Sequence, residues 1–238
     1  MLKADFHTHT NYVIPKRDSS LSPKQLIDFV ASKGYEVLAI TEHASLSCLL
    51  GGLEYIDNPL KTYYDFKGYA KKKGILLIPG VETFVEGKEV LLINFTGDVK
   101  KVRTFADVEQ LKDENVLVIA PHPFYGKPSC LKNKLVEHIN VFDAIEHCHF
   151  YTNLINPNKR AVKIAKEYDK PLVANSDAHG FDQLNINFTL IDAEKNVDSV
   201  LEAVRKNKIK IVTKPLPLSK FLRIAAWSVM ATFKKRII

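Results

Sequence analysis

Short apolar runs alternate with stretches of helical periodicity along nearly the whole chain, the pattern of repeated βα units around a largely parallel sheet. The first unit is the clearest. Lys3 to His7 reads as a strand, Ser22 caps a helix with Pro23 at its first position, and Gln25 to Lys33 repeats apolar Leu26, Ile27, Phe29 and Val30 before a stop at Gly34. Val37 to Thr41 follows as a strand, Leu60 to Lys73 as a helix ended by Gly74, and Ile75 to Val81 as a buried strand with Glu82 at its end. Glu89 to Phe95 is a further apolar run, and Thr104 caps a helix from Phe105 to Glu114. The second half keeps the rhythm. Strands are expected at Val116 to Ala120, Phe142 to Cys148, Pro171 to Ala174 and Lys208 to Thr213, with helices at Asn158 to Tyr168 and Val197 to Asn207. About seven strands of this kind suggest a barrel one unit short of the commonest α/β barrel.

Polar chemistry sits where these runs end: Asp5-Phe6-His7-Thr8-His9, Thr41-Glu42-His43, Ala120-Pro121-His122-Pro123 and Asn175-Ser176-Asp177-Ala178-His179. A hydrophobic strand that delivers His or Asp as it meets a loop is how an α/β barrel builds a metal site at the carboxyl ends of its strands. Of the eight histidines, His7, His9, His43, His122 and His179 lie just after apolar runs, as do Glu82 and Asp177, which scattered surface histidines would not do. His7 and His9 are one residue apart on an extended segment and therefore point to the same side. Imidazoles with carboxylates suit Zn, Mn or Fe, and the lack of thiolates in the pattern argues against a purely structural zinc site.

Composition narrows the setting. At 238 residues, 46% apolar and 26% charged, the chain fits one sizeable globular domain. Cys48, Cys130 and Cys148 form no C-x-x-C pair, so neither a zinc ribbon nor a disulfide framework is indicated, and a reducing, cytoplasmic setting is expected. The first residues run straight into the His pair and leave no room for a cleavable leader. The net charge of +7 belongs to the tail: Ala203 to Ile238 holds ten Lys or Arg and no acid, and of the 34 basic residues the other 24 face 27 acidic ones. Such a body does not suit a barrel wrapped in nucleic acid, which needs a basic surface. Residues 1–214 are therefore read as the barrel and 215–238 as an appended basic, apolar helix. That helix is too short to span a bilayer. Packing across the barrel floor is its first reading, with a dimer contact, peripheral membrane contact or RNA binding as the others.

Taken in order, the strand-end motifs resemble those of the PHP (polymerase and histidinol phosphatase) superfamily of metal-dependent phosphoesterases. The resemblance runs from Asp-Phe-His-Thr-His-Thr through Thr-Glu-His, Pro-Gly-Val-Glu around Glu82 and Pro-His-Pro to Ser-Asp-Ala-His-Gly, covering most of residues 3 to 213. It implies a distorted (β/α)7 barrel related to the TIM barrel, with two or three divalent ions at its carboxyl-terminal mouth. It places His7, His9, Glu82 and Asp177 on one ion, with Glu82 bridging to a second ion on His122, and Asp18, His43 and His179 on a third. Asp177, Glu82 and His179 carry the catalytic roles. The chain departs from the pattern in three ways: the loop from Asn11 to Ser20 around Asp18 is longer and more basic than the pattern, Glu42 stands where Asp is usual, and the run from Glu89 to Phe95 lacks a further His, for which either Asn94 or Glu89 substitutes or the second ion binds weakly.

Glu146-His147-Cys148-His149 leaves two choices, since alternate residues of a strand face opposite ways and one pair must face the interior. His149 is a candidate for contacting substrate or supplying the missing ligand. Arg17, Lys16 and Arg160 are candidate phosphate contacts. Divalent ions outweigh Asp18, Glu82 and Asp177 in charge, so the mouth suits an anion. The expected activity is hydrolysis of a small phosphorylated metabolite or nucleotide by metal-activated hydroxide. No Gly-x-Ser-x-Gly turn presents Ser176 as a nucleophile. The competing expectations are a non-catalytic nucleic-acid-binding or scaffold barrel using the basic tail, and a hydrolase of a phosphate-free substrate.

Overall fold

The computed structural model describes residues 1–14, 19–47, 53–111 and 115–234. Its centre is a nine-stranded sheet. Six strands run parallel: β1 (Leu2–Asp5), β2 (Val37–His43), β5 (Leu76–Val85), β7 (Leu117–Ala120), β8 (Ala144–Cys148) and β9 (Leu172–Asn175). β6 (Lys88–Ile93) lies antiparallel between β5 and β7, and β10 (Phe188–Ile191) is antiparallel to both β1 and β11 (Ile209–Val212). The order is β11-β10-β1-β2-β5-β6-β7-β8-β9, with a separate hairpin of β3 (Ser45–Ser47) and β4 (Leu53–Tyr55). The fold is thus a nearly closed barrel-shaped sheet with two more strands than the pattern suggests. One of the two is β6, formed by the apolar run from Glu89; the other, Phe188–Ile191, periodicity missed together with the β3–β4 hairpin, for it has only four residues, and two of them are partly exposed.

The predicted helices form, most of them shortened at their carboxyl ends. α1 (Pro23–Ser32) starts where Ser22 and Gln25 make a reciprocal capping box, and it buries Leu26, Ile27 and Val30 against Leu38 and Ile40 of β2. α2 (Lys61–Lys72) joins that layer through Ala70. α3 (Phe105–Gln110), capped by Thr104, lies in the opposite outer layer, as do α4 (Lys134–Glu137) and α5 (Asn158–Glu167). There Phe105, Val108, Leu135, Ala161 and Ile164 cover Val118, Ala120 and Ile145. α6 (Val197–Arg205) closes the floor. Its Asp198 and Arg205 bond Asn115, and Arg205 also bonds Val116 O, all near the amino end of β7. Val200, Leu201 and Val204 meet the interior residues Ile78, Leu117, Ile119, Ala144 and Val173.

α7 (Leu218–Lys234) begins at the other end of the barrel. Leu216 N–H donates to Tyr151 O at 2.8 Å, the Phe221 and Phe150 rings stack at 4.2 Å, and Arg223 pairs with Asp182. Phe150 and Asp182 follow the carboxyl ends of β8 and β9, so these contacts lie on the mouth side and not across the floor. Among the described residues no helix is long and apolar enough to cross a membrane.

Side chains close the sheet where backbone pairing stops. Thr189 of β10, fully buried, accepts from Ala174 N–H at 2.9 Å and donates to Ala174 O at 3.0 Å in β9. Asn175 Oδ1 accepts from Phe6 N–H at 3.0 Å, joining β9 to the end of β1. Thr189→Val keeps the shape but leaves both Ala174 groups unpaired. It is expected to cost about 1–3 kcal/mol, lowering Tm by roughly 2–4 °C per kcal/mol at this size. Thr189→Ser, measured by the same thermal melt, should stay close to wild type.

Candidate metal centre

Each parallel strand delivers a polar side chain at its carboxyl end. β1 leads to His7 and His9, β2 ends at His43, β5 carries Glu82, β7 leads to His122, β8 carries Glu146, and β9 leads to Asp177 and His179. His43 and Glu82 are register partners across β2 and β5, and His43 Nδ1 lies 2.9 Å from Glu82 Oε2. His122 and Asp177 take positive φ, 26° and 46°, conformations that L residues hold at a cost of about 1–3 kcal/mol when the surrounding structure imposes them.

The donors converge. Glu82 Oε2 is 3.5 Å from both His7 Nε2 and His9 Nε2, and Asp177 Oδ1 is 3.4 and 3.5 Å from the same two nitrogens. Glu82 Oε1 and Asp177 Oδ2 reach His122 Nε2 at 3.4 and 3.9 Å, and Asp177 Oδ1 reaches His179 Nε2 at 3.4 Å. Ligands bonded at about 2.1 Å around a tetrahedral ion stand roughly 3.4 Å apart, which is the spacing found here and is longer than a good hydrogen bond. His7 Nε2 is fully buried and has no hydrogen-bond partner. An orphaned imidazole nitrogen facing the buried Glu82 carboxylate and the largely covered Asp177 carboxylate fits a divalent cation. Four donor groups stand out among the described residues: His7, His9 and Glu82; His9, His43 and His179; His7, His122 and Glu146; and Glu89, His122 and Cys130. Asp18, assigned above to the third ion, and Lys16 and Arg17, assigned to phosphate, lie outside the described residues.

Burial alone would push the Glu82 and Asp177 carboxyls up, but the imidazoles beside them, His7 foremost, hold both well below the ordinary carboxylate range. Reciprocally, burial would lower His7, yet Glu146, Asp177 and Glu82 hold it well above 6.5. His122 is likewise raised against burial, by contacts that include Cys130 and Glu82.

A ring of residues orients the donors. Glu146 Oε1 lies 3.0 Å from His7 Nδ1 and accepts from Asn175 Nδ2 at 3.1 Å, while its Oε2 accepts from His122 N–H at 2.7 Å. This resolves the choice at the β8 end: Glu146 faces the centre. Asp5 Oδ1 accepts from His7 N–H at 3.1 Å and Ser176 N–H at 3.2 Å, and burial raises its carboxyl to about 7. Glu42 accepts from Thr10 N–H, Thr10 Oγ1 and Thr62 Oγ1, so it fixes the chain beyond His9. The sequence flagged Glu146 only as part of an ambiguous pair, and Asp5 only as the first letter of a motif.

The remaining candidates are placed as follows. His149 is buried, its Nε2 is 3.3 Å from Gln183 Nε2, and burial lowers its pKa to about 4, so it is neutral at physiological pH. Arg160 lies over the Phe124 ring and donates to Asn133 Oδ1 at 2.9 Å, and among the described residues it has no contact with the donor cluster. Asn94 donates to Asn115 O at 3.2 Å near the floor, whereas Glu89 Oε2 lies 3.8 Å from His122 Nδ1. The antiparallel course of β6 puts its first residues, not its last, at the mouth. Of the two substitutes for the missing His, only Glu89 reaches the centre.

Two outcomes are expected. A cation must displace the protons that His7 and His122 hold at neutral pH, so metal affinity should rise as pH is raised from about 6 towards 8, with proton release measurable by calorimetry in buffers of different ionisation enthalpy. Glu146→Gln should weaken metal affinity about 10–100-fold, the usual loss when a ligand-orienting carboxylate is removed, with the circular dichroism spectrum retained.

Comparison with known proteins agrees with this geometry. The chain is 26% identical over 165 residues to an uncharacterised protein of Methanocaldococcus jannaschii, covering 64% of this chain and 88% of that one. Among solved structures, it is similar in fold to a Bacteroides vulgatus two-domain protein containing a predicted PHP-like metal-dependent phosphoesterase. The TM-score there is 0.66 at 19% identity, covering 93% of this chain and 69% of that one. PsfC from Pseudomonas syringae matches with a TM-score of 0.59 at 16% identity, over 99% of this chain and 98% of its own. The PHP domain model itself matches residues 5–184. From the ordered strand-end ligands, the barrel that gathers them and that match, it follows that the chain belongs to the PHP domain family.

Proposed function

We propose that this protein is a metal-dependent phosphoesterase that hydrolyses a small phosphorylated metabolite or nucleotide. The observation that carries this reading is the convergence of His7, His9, Glu82 and Asp177 at 3.4–3.5 Å spacings around one point at the carboxyl end of the barrel. His7, His9, Glu82 and Asp177 would hold one ion, Glu82 and His122 a second, and His43 and His179 a third, drawn from Zn, Mn or Fe. When bound, such ions lower the pKa of a coordinated water towards about 7 and polarise phosphoryl oxygens.

The chain's own residues supply the rest. Asp177, His179 and His43 keep 15–16% side-chain exposure while His7, His9 and Glu82 are closed off, so these three form the side of the cluster that faces an incoming ester and water. Glu146 and Asp5 keep the His7 ring and backbone from rotating away. Ser176 is fully buried and its hydroxyl donates to His7 O at 3.4 Å, so it is not free to attack phosphorus. Ser176 thus offers no route to a phosphoenzyme, in keeping with direct attack by water. A non-catalytic scaffold has no use for so many buried ionisable groups, whose desolvation costs several kcal/mol each.

The test is a phosphoester panel assayed on protein loaded with Mn or Zn, with metal content measured in parallel. Turnover should appear with metal, vanish on chelation, and fall at least 100-fold in Asp177→Asn. Absence of turnover on every monoester and diester with the metal bound would overturn the reading.

A further inference from the structure

We propose that Lys127, carried on the loop after His122, is the residue that receives the phosphoryl oxygens of the substrate. The proposal rests on the hydrolytic reading above and names the part of the pocket that would select an anion.

The loop is built to hold this position. Lys88 Nζ donates to Pro128 O at 2.7 Å, and Glu89 N–H donates to Ser129 O at 2.9 Å, pinning residues 128 and 129 across the start of β6. Cys130 N–H donates to Lys127 O at 3.2 Å, and the buried Cys130 Sγ lies 3.7 Å from His122 Nδ1. Lys127 is therefore within one turn of a side chain that touches a cluster donor, on the mouth side of the barrel.

The charges around it complete the case. Glu89, Asp177 and Glu82 are the carboxylates whose field the Lys127 ammonium feels, and together they outweigh its burial in the concave mouth and raise its pKa. Lys127 is nonetheless exposed to solvent, and among the described residues no carboxylate lies within 4.0 Å of its ammonium and no hydrogen bond holds it. Glu89 Oε2 is buried and has no hydrogen-bond partner of its own. A permanently charged ammonium near the carboxylate cluster, reachable from water and committed to no ion pair, is suited to an incoming dianion. By contrast, Arg160 is engaged with Phe124 and Asn133, and Arg223 is paired with Asp182. With divalent cations bound in the cluster, a phosphoryl group between it and Lys127 would meet positive charge from both sides, which favours a terminal phosphate over a buried diester link.

The experiment is titration of inorganic phosphate into the full chain loaded with Mn, followed by calorimetry, with metal content measured for every variant. Lys127→Ala should weaken phosphate binding at least tenfold with metal content unchanged, and Lys127→Arg should remain within about threefold of wild type. In turnover assays, Lys127→Ala should raise KM for a monoester about tenfold and change kcat less. Wild-type phosphate affinity in Lys127→Ala, loss of metal together with phosphate, or no phosphate binding by the wild type would each overturn the proposal. Lys127-dependent phosphate binding without turnover of any ester would uphold it and count against hydrolysis instead.

Discussion

Two carboxylates, Glu82 and Asp177, set the terms for the whole carboxyl end of this barrel. Glu82 is withdrawn from water and Asp177 largely so, and an uncompensated charge there would cost several kcal/mol. Compensation comes from imidazoles on β1, β2, β7 and β9 that must all reach the same small volume. The strands consequently have to end at matching heights, and His122 and Asp177 accept positive φ to do so. Protons shared among the rings and carboxylates balance the charge in the protein alone, and divalent cations would take over that role.

Closing the barrel and assembling the site are the same event. The seam between β9 and β1 is bridged by Asn175, whose other side-chain atom bonds Glu146, and Glu146 in turn holds His7. Asp5 bonds backbone groups on both sides of that seam. A barrel that failed to close would splay the donors apart, and a barrel without its polar seam would leave buried N–H and C=O groups unpaired. Stability and chemistry therefore draw on one hydrogen-bonded network, which is why conservative changes to the orienting residues should be felt in metal affinity before they are felt in the fold.

The insertion of β6 against the direction of its neighbours has a functional consequence. It brings Glu89 up beside His122 and anchors the loop bearing Lys127 and Cys130 through Lys88 and Glu89. One side of the centre is thereby lined with a carboxylate and a thiol, with the Lys127 loop beside them, while the opposite side is lined with stacked imidazoles of His9, His43 and His179. The asymmetry gives the mouth a polarity along which a charged ester can be oriented.

Much of this was legible from the chain alone, for identifiable reasons. Strand-end placement of His7, His9, His43, His122, Asp177 and His179 follows from apolar runs that stop at polar residues, and α1 was readable because Ser22, Pro23 and Gln25 act locally. Direction and closure were not readable. β6 is buried on both faces, so its sequence carries no mark of which end points up, and Asn94 and Glu89 looked equivalent until the sheet set their heights. Glu146 and His149 could not be told apart by alternation, since parity says that residues two apart share a face but not which face is inward. What the sequence by itself determined was the set of donors and the elements that carry them, because these depend on neighbours in the chain. Only the tertiary structure decided which donors share a centre, which carboxylates merely orient them, and where a free ammonium stands, because these depend on strand order and register between segments far apart in numbering.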